Sequence, residues 1–377
     1  MKDRKKLTPV ILLTVLLALF ALHFTQYQFS WKYVKPLDGY YLDTEKSKFS
    51  WKDWFSGSFQ ETKDKYLNDH FGFRSLFIRL NHQLRFSLFN KTKTAWITVG
   101  KENYLYEFNY IKAFYGDDFI GNDSIEKRMH KLRLLQDTLN HLGKKLIVVL
   151  APGKGSFYPE YIPDEFHQER STTNLEIYRQ YIEKLQINCI DFHKYFIDNK
   201  HNFPYPLYPQ YGIHWSIYTS CLAADSIVRY IEKLSNIRMP HLYWEKVNMS
   251  KPRYRDRDIA DALNLFFSPK TFEMAYPELQ FESESGKTKP SLLVVSDSFY
   301  GTIFDLGLDS IYTNHHWWYY NEVIYPETSG NNWLPTSDIN AHEEMLNYDI
   351  IIILSTDANL PKFGWGFIEN NYNIFYP

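Results

Sequence analysis

From residue 125 onward the chain alternates between short, unbroken apolar runs and stretches with apolar residues three and four apart. Residues 145–150 (Lys-Leu-Ile-Val-Val-Leu) form the clearest run, and 187–190, 291–295, 310–312 and 349–354 are the others. A run that is apolar at every position leaves no face for water, so each reads as a strand buried on both sides. Between them, 126–142 places Met129, Leu132, Leu135, Leu139 and Leu142 on one helical face, and 175–185 and 215–234 read as further helices. Such an alternation predicts an α/β fold: a three-layer α/β/α sandwich with a parallel sheet. Ligands of these sheets bind outside the carboxyl ends of the strands. Ala151-Pro152-Gly153-Lys154, Ser296-Asp297-Ser298 and Ser355-Thr356-Asp357 stand at such ends.

The region before the sandwich has another character. Lys2, Arg4, Lys5 and Lys6 precede an apolar run over 7–24, broken only by Thr8, Pro9, Thr14 and His23. As a helix it spans about 27 Å, close to the hydrocarbon core of a bilayer. Positive charge ahead of the run keeps the N-terminus inside and sends the body across the cytoplasmic (inner) membrane, which would place it in the periplasm. A cleaved signal peptide is the competing reading, but bulky Leu22-His23-Phe24 offers no small-x-small cleavage site. The expected organisation is a signal-anchor transmembrane helix over 1–25, a juxtamembrane spacer and packing helix over 26–100, and a catalytic domain over 101–377. In the packing helix, expected over 66–90, Leu76, Leu80, Leu84 and Leu88 lie four apart. The charged, aromatic stretch 239–289 interrupts the alternation and reads as an insertion or lid, with a short helix at 258–265.

Composition excludes some classes. A net charge of −2 with no basic block in the body argues against a nucleic-acid partner. Cys189 and Cys221 are too few for a disulfide scaffold and lack metal spacing; they are two buried thiols or, in an oxidising compartment, a pair. Aromatic residues make up 18% of the chain, enough for a ring-rich core or for surfaces that stack on sugars.

Two motifs 84 positions apart carry chemistry. Ser298 follows the apolar run Leu292-Leu293-Val294-Val295, so a tight turn would project its hydroxyl into the cleft beside backbone N–H groups able to face an oxyanion. His214, in Gly212-Ile213-His214-Trp215 at an expected helix start, could take the serine proton and return it. Each has a plainer reading, a helix-capping serine and a loop-bound histidine. Lys154 could meet an anionic sugar, shape the pocket or simply be solvated. His315-His316-Trp317-Trp318-Tyr319-Tyr320 follows the expected strand at 310–312, and Trp317 or Tyr319 could stack on a glycan or pack in the core. Adjacent histidines in extended chain point apart, which argues against a metal pair, and no metal or cofactor is expected.

Taken together the motifs resemble a known family. Asp297-Ser298-Phe299 after an apolar strand is similar to the nucleophile block of SGNH hydrolases. A His-Trp pair upstream of that serine resembles the circularly permuted branch, the alginate O-acetyltransferases of the AlgJ and AlgX type. Asp69-His70-Phe71-Gly72-Phe73-Arg74, Val99-Gly100-Lys101 with Tyr104-Leu105-Tyr106, and Ala151-Pro152-Gly153-Lys154 with Tyr158-Pro159 are similar to further blocks of the family, in order. The resemblance covers about residues 60–360, and the N-terminal anchor looks more like the AlgJ type. It implies a serine O-acetyltransferase acting on a polysaccharide outside the membrane, with Ser298 carrying the acetyl group, His214 as base and Trp215 packing beside them. It also implies a multispanning membrane acyltransferase that hands over the acetyl group. A carbohydrate O-acetylesterase, and a catalytically impaired glycan-binding or scaffold member of an export complex, are the alternatives. Two residues depart from the pattern: Gly212 stands where the family has the acid of Asp-x-His-Trp, and Ser296 where it has glycine. Asp258, Asp261 and Asp357 are candidates to orient His214 in its place, whereas Asp297 is expected to tie down the nucleophile turn.

Overall fold

The computed structural model describes residues 2–29, 35–39, 44, 46, 48–94, 96–330 and 332–377. Residues 30–34, 40–43, 45 and 47 of the spacer expected after the first helix therefore lie outside the described residues. The chain divides into two units, Met1–Thr94 with Ala260–Pro269, and Ala95–Ile259 with Lys270–Pro377.

In the first unit, helix α1 (Lys2–Phe29) contains one window, Pro9–Gln26, of mean hydropathy 2.0, long and apolar enough to cross a membrane. Near its end, His23 Nδ1 bonds to the Gly72 carbonyl at 2.7 Å and Gln26 Oε1 accepts from Phe73 N at 2.6 Å. A Cβ at Gly72 would stand 2.1 Å from the His23 carbonyl, so this turn requires glycine. The turn also divides the single helix expected over 66–90. Ser58–Asp69 and α2 (Arg74–Phe89) are separate, parted where Phe73 takes a left-handed φ of 58°. Arg79 donates to the carbonyls of Pro36 (2.6 Å) and Leu265 (3.3 Å), and His82 bonds to Leu263 O at 2.7 Å. The stretch 239–289 is thus not one body, since its 260–269 part clusters with this unit.

The second unit opens with a small antiparallel ribbon, β1 (Ile97–Val99) and β2 (Leu105–Glu107), which leads directly into α3 (Phe108–Tyr115). Then follow α4 (Asn122–His141), β3 (Lys145–Ala151), α5 (Asn174–Lys184), β4 (Cys189–Asp191) and α6 (Ile217–Ser235). The chain continues with β5 (Leu292–Ser296), α7 (Phe299–Phe304), β6 (His315–Tyr319), β7 (Val323–Tyr325), β8 (Ile350–Thr356) and α8 (Phe367–Phe375). The six-stranded sheet has the order β7-β6-β5-β8-β3-β4 and is parallel except for β7 at its edge. Leu146, Val148, Leu293, Val295, Ile351 and Ile353 face a core closed by Met129, Leu132, Leu135 and Leu139 of α4, by α5, and by Phe367 and Ile368 of α8. On the opposite face the short helix Phe192–Asp198 packs against β3, α7 against β8, and α6 against α7. Helices on both faces explain the continuous apolar runs.

Two expectations are corrected. Residues 310–312 are not a strand: Ile311 N and Tyr312 N both bond back to Leu308 O as a turn. The strand is β6 itself, aligned with β5 from His315↔Leu292 to Tyr319↔Ser296. Trp317 and Trp318 are both buried on it, on opposite faces of a sheet covered on both sides, so the period-2 signal is absent. Likewise the helix expected from 215 starts at Ile217, because Ser216 caps it by accepting Thr219 N at 3.1 Å. His214 and Trp215 therefore belong to the preceding loop. Both cysteines are free thiols, and burial pushes that of Cys221 up to about 12.

Candidate active site

The carboxyl edge of the sheet sets the place of Ser298. β5 ends at Ser296, level with Tyr319 of β6 and Leu354 of β8, and the chain then turns through Asp297 and Ser298 into α7. Asp297 is fully buried. Its Oδ1 accepts from Phe299 N at 3.1 Å, and its Oδ2 accepts from Thr356 N, Thr356 Oγ1 (both 2.8 Å) and Asn359 Nδ2 (2.9 Å). Burial raises its pKa, against hydrogen bonds from Thr356, Phe299 and Asn359 that lower it. Asp297 therefore clamps the turn to the end of β8. Ser296 Oγ accepts from Trp317 Nε1 at 2.7 Å, which fastens the same turn to β6.

His214 reaches the serine from its loop. Its Nε2 lies 2.9 Å from Ser298 Oγ, and its Nδ1 lies 2.5 Å from Asp258 Oδ2. A carboxylate can only accept, so Nδ1–H donates to Asp258 and Nε2 is left to accept from the hydroxyl. The other carboxylate oxygen is held too, since Oδ1 accepts from Ile213 N at 3.0 Å and Ile259 N at 2.7 Å. Trp215, fully buried, donates from Nε1 to Thr302 Oγ1 (2.7 Å) and Phe299 O (3.2 Å), tying the histidine loop to the helix after the serine. Of the three acids considered from the sequence, Asp258 meets the ring. Asp357 instead accepts from Ser156 Oγ and lies 3.5 Å from His193 Nε2, and Asp261 belongs to the other unit.

Gly212 now has a steric reason. A Cβ there would stand 2.7 Å from Pro209 Cγ, 2.8 Å from Arg255 O and 3.0 Å from the Asp256 carbonyl carbon. The backbone that delivers Asp258 fills the space an acid at 212 would need, so the two arrangements exclude one another. Asp256, also buried, accepts from Ile217 N at 3.3 Å at the start of α6, and burial pushes its pKa up to about 7.

Lys154 and Trp317 are not where a sugar could meet them. Lys154 is completely buried, and its ammonium donates to the carbonyls of Gln210 (2.8 Å) and Gly212 (2.7 Å), with Tyr104 and Tyr106 rings beside it. Burial pushes its pKa down to about 7, opposed by the charge of Asp258. It holds the segment that leads into His214. Trp317 is 5% exposed and stacks on Tyr325. Tyr319 is half-buried between Trp317 and Tyr320. His315 and His316 bond to separate partners, Tyr300, and Glu327 with Tyr348.

One group at the site left no signal in the sequence. Glu107, the last residue of β2, is half-buried, and burial pushes its pKa up to about 7; the His214 charge lowers it and that of Asp258 raises it. A glutamate after a Tyr-Leu-Tyr strand looks like any strand end until the fold places it where the charges of His214 and Asp258 act on it.

Serine, histidine and aspartate in this order can supply a nucleophile, a base and a group that fixes the base's tautomer, the requirements for acyl transfer. Residues 97–265 match the family model described as SGNH hydrolase-like domain, acetyltransferase AlgX. That span holds His214 and Asp258 and ends before Ser298. No curated protein matches the chain. Among solved structures, the O-acetyltransferase domain of Pseudomonas putida AlgJ is similar at 13% identity and TM-score 0.45, covering 74% of this chain and 99% of that one. Pseudomonas aeruginosa AlgX aligns at 12% and 0.45 over 73% and 67% of the two chains, and Bacillus cereus PatB1 at 14% and 0.43 over 70% and 96%. Over residues 97–265, less than half of its length, the chain is similar to the SGNH hydrolase-like domain described by the AlgX family model.

Proposed function

We propose that this chain is a serine O-acetyltransferase that acetylates a polysaccharide outside the cytoplasmic membrane. The observation that carries the reading is the continuous relay Ser298–His214–Asp258, with contacts of 2.9 and 2.5 Å. Ser298 Oγ attacks the acetyl carbonyl of the donor while His214 Nε2 takes its proton. The Ser298 N–H, which has no intramolecular acceptor among the described residues, is one donor available to the oxyanion. Collapse of the tetrahedral adduct passes the proton from His214 to the leaving group and leaves acetyl-serine. A sugar hydroxyl then attacks, its proton goes to His214 and on to Ser298 Oγ, and the acetyl ester leaves on the sugar. Asp258 supports the imidazolium in both halves. The N-terminal helix acts as a single-pass anchor with the N-terminus inside, and a multispanning membrane acyltransferase supplies the acetyl group.

Gly212 in place of the family's acid favours an impaired, glycan-binding member, whereas Asp258 on the far ring nitrogen supports the catalytic reading. An esterase would use the same three residues with water as acceptor. To separate the two, the full chain in detergent is given an acetyl ester and a polysaccharide acceptor. Acetyl transferred to sugar in wild type and absent in Ser298→Ala supports the proposal. Acetate alone, at a rate indifferent to the sugar, supports the esterase, and activity retained in Ser298→Ala defeats both.

A further inference from the structure

At the end of the β1–β2 ribbon and the start of α3 lies a cleft that the acyl-transfer chemistry does not itself use. It has a volume of about 470 Å³ and is lined by Trp96, Glu107, Phe108, Asn109 and Lys112. That volume is within the about 300–1,000 Å³ typical of small-molecule sites. The lining is built on rigid parts: Ile97 pairs with Glu107 across the β1–β2 ribbon, and Phe108 N donates to Trp96 O at 3.0 Å. Two aromatic side chains and a carboxylate are thereby fixed on one short stretch of backbone. Trp96 is 48% exposed, although burying a ring of its size is favourable. Asn109 and Lys112 stand exposed at the rim, with Lys112 Nζ 5.0 Å from the Phe108 ring centroid. Two contacts tie the elements that line the cleft to those that carry the triad: Leu105 N, on β2, donates to Gln210 O in the segment before His214 at 3.1 Å, and the Tyr110 ring of α3 lies 6.1 Å from that of Phe299, the residue after Ser298.

A half-exposed indole beside hydrogen-bonding groups suits the C–H face of a pyranose, with its hydroxyls turned to the polar side. We propose that this cleft is the acceptor subsite, holding one neutral hexopyranose unit on Trp96 and Phe108 with a hydroxyl donated to Glu107. The proposal rests on the transferase reading above. An uncharged unit follows from the lining: its one acid, Glu107, and its one base, Lys112, offset each other, so no net charge is left to recruit a sugar carboxylate. Glu107 is assigned to substrate binding, and the chemistry remains with Ser298.

The test uses the full chain in detergent, p-nitrophenyl acetate as donor, and cellotetraose or tetramannuronate as acceptor. Nitrophenol release without sugar reports acylation, and acetylated sugar reports transfer. Trp96→Ala is expected to raise the KM for cellotetraose about tenfold, the effect of losing one stacked apolar face. Glu107→Gln is expected to raise it several-fold. Trp333→Ala, which removes an exposed tryptophan that does not line the cleft, serves as control and leaves that KM unchanged. Thermal melts verify that each variant is folded. An active wild type whose cellotetraose KM is insensitive to Trp96→Ala overturns the subsite and leaves the transferase reading standing. Preference for tetramannuronate overturns the neutral assignment. A wild type that neither acylates nor transfers defeats the transferase reading instead. Calorimetric binding of cellotetraose then decides the cleft: loss in Trp96→Ala supports it, and no binding to wild type overturns it.

Discussion

Replacing Asp258 by asparagine isolates the most specific element of the site. The side chain keeps its size, and Oδ1 can still accept from Ile213 N and Ile259 N, so the amide oxygen has a fixed place. That leaves the NH₂ group facing His214 Nδ1, 2.5 Å from it in the native arrangement. Two donors cannot face each other there, so the imidazole must carry its proton on Nε2. The serine then meets an N–H rather than a lone pair and has no base. The side chain of His214 is only 8% exposed, and water has little room to restore the tautomer. In serine hydrolysis the same change of tautomer costs about 10⁴ in turnover, about 5.5 kcal/mol in barrier. The expected result is a fall of that order in the rate of acetyl-enzyme formation, followed by nitrophenol release from an acetyl ester at neutral pH. The melting temperature should change little, because the two backbone bonds are kept. A variant that is folded and within tenfold of wild type would refute the reasoning, and some group other than Asp258 would then have to set the ring.

Other consequences follow from the same contacts. Gly212→Ala should lower stability by about 1–3 kcal/mol in chemical denaturation, since the new methyl meets the backbone at Arg255 and Asp256, and Gly212→Asp should not rescue Asp258→Ala for the same reason. Lys154→Met should reduce both stability and turnover by leaving the carbonyls of Gln210 and Gly212 unpaired, at about 1–3 kcal/mol for each. Because the Lys154 pKa is pushed down from 10.5 to about 7, the unfolded chain binds more protons across that window; wild type should therefore gain stability relative to Lys154→Met as pH rises from about 7 towards 10.5. Glu107 has the opposite sign. Its pKa is raised from 4.5 to about 7, so the folded chain holds the proton longer, and wild type should lose stability relative to Glu107→Gln as pH rises through that interval in denaturation series.

The parts of this molecule that were legible in the sequence are those whose causes are local. The strands at 145–150 and 349–354 announce themselves because a sheet covered on both faces needs every side chain apolar. Ser298 and His214 stand out because each sits in a short motif next to an element boundary. What stayed hidden depends on distant segments. Nothing near Asp258 distinguishes it from Asp261 or Asp357; only the packing of Arg255 and Asp256 against Gly212 aims it at the imidazole. Lys154 reads as a solvated strand-end lysine until carbonyls 56 and 58 residues away cover it. The helix expected over 66–90 breaks because Gly72 meets the backbone of His23, a contact that no periodicity records. For β6, the adjacent Trp317 and Trp318 are buried on opposite faces, so neither alternation nor a wholly apolar run marked the strand.

The central claim is that Ser298 carries the acetyl group with His214 as its base. Brief reaction of the full chain with an acetyl ester, acid quenching and peptide mass spectrometry would locate that group. The account predicts one acetyl on the peptide containing Ser298, formed slowly or not at all in His214→Ala and cleared when a sugar acceptor is added. Acetyl on a different residue, or sugar acetylation by a Ser298→Ala variant, would contradict it.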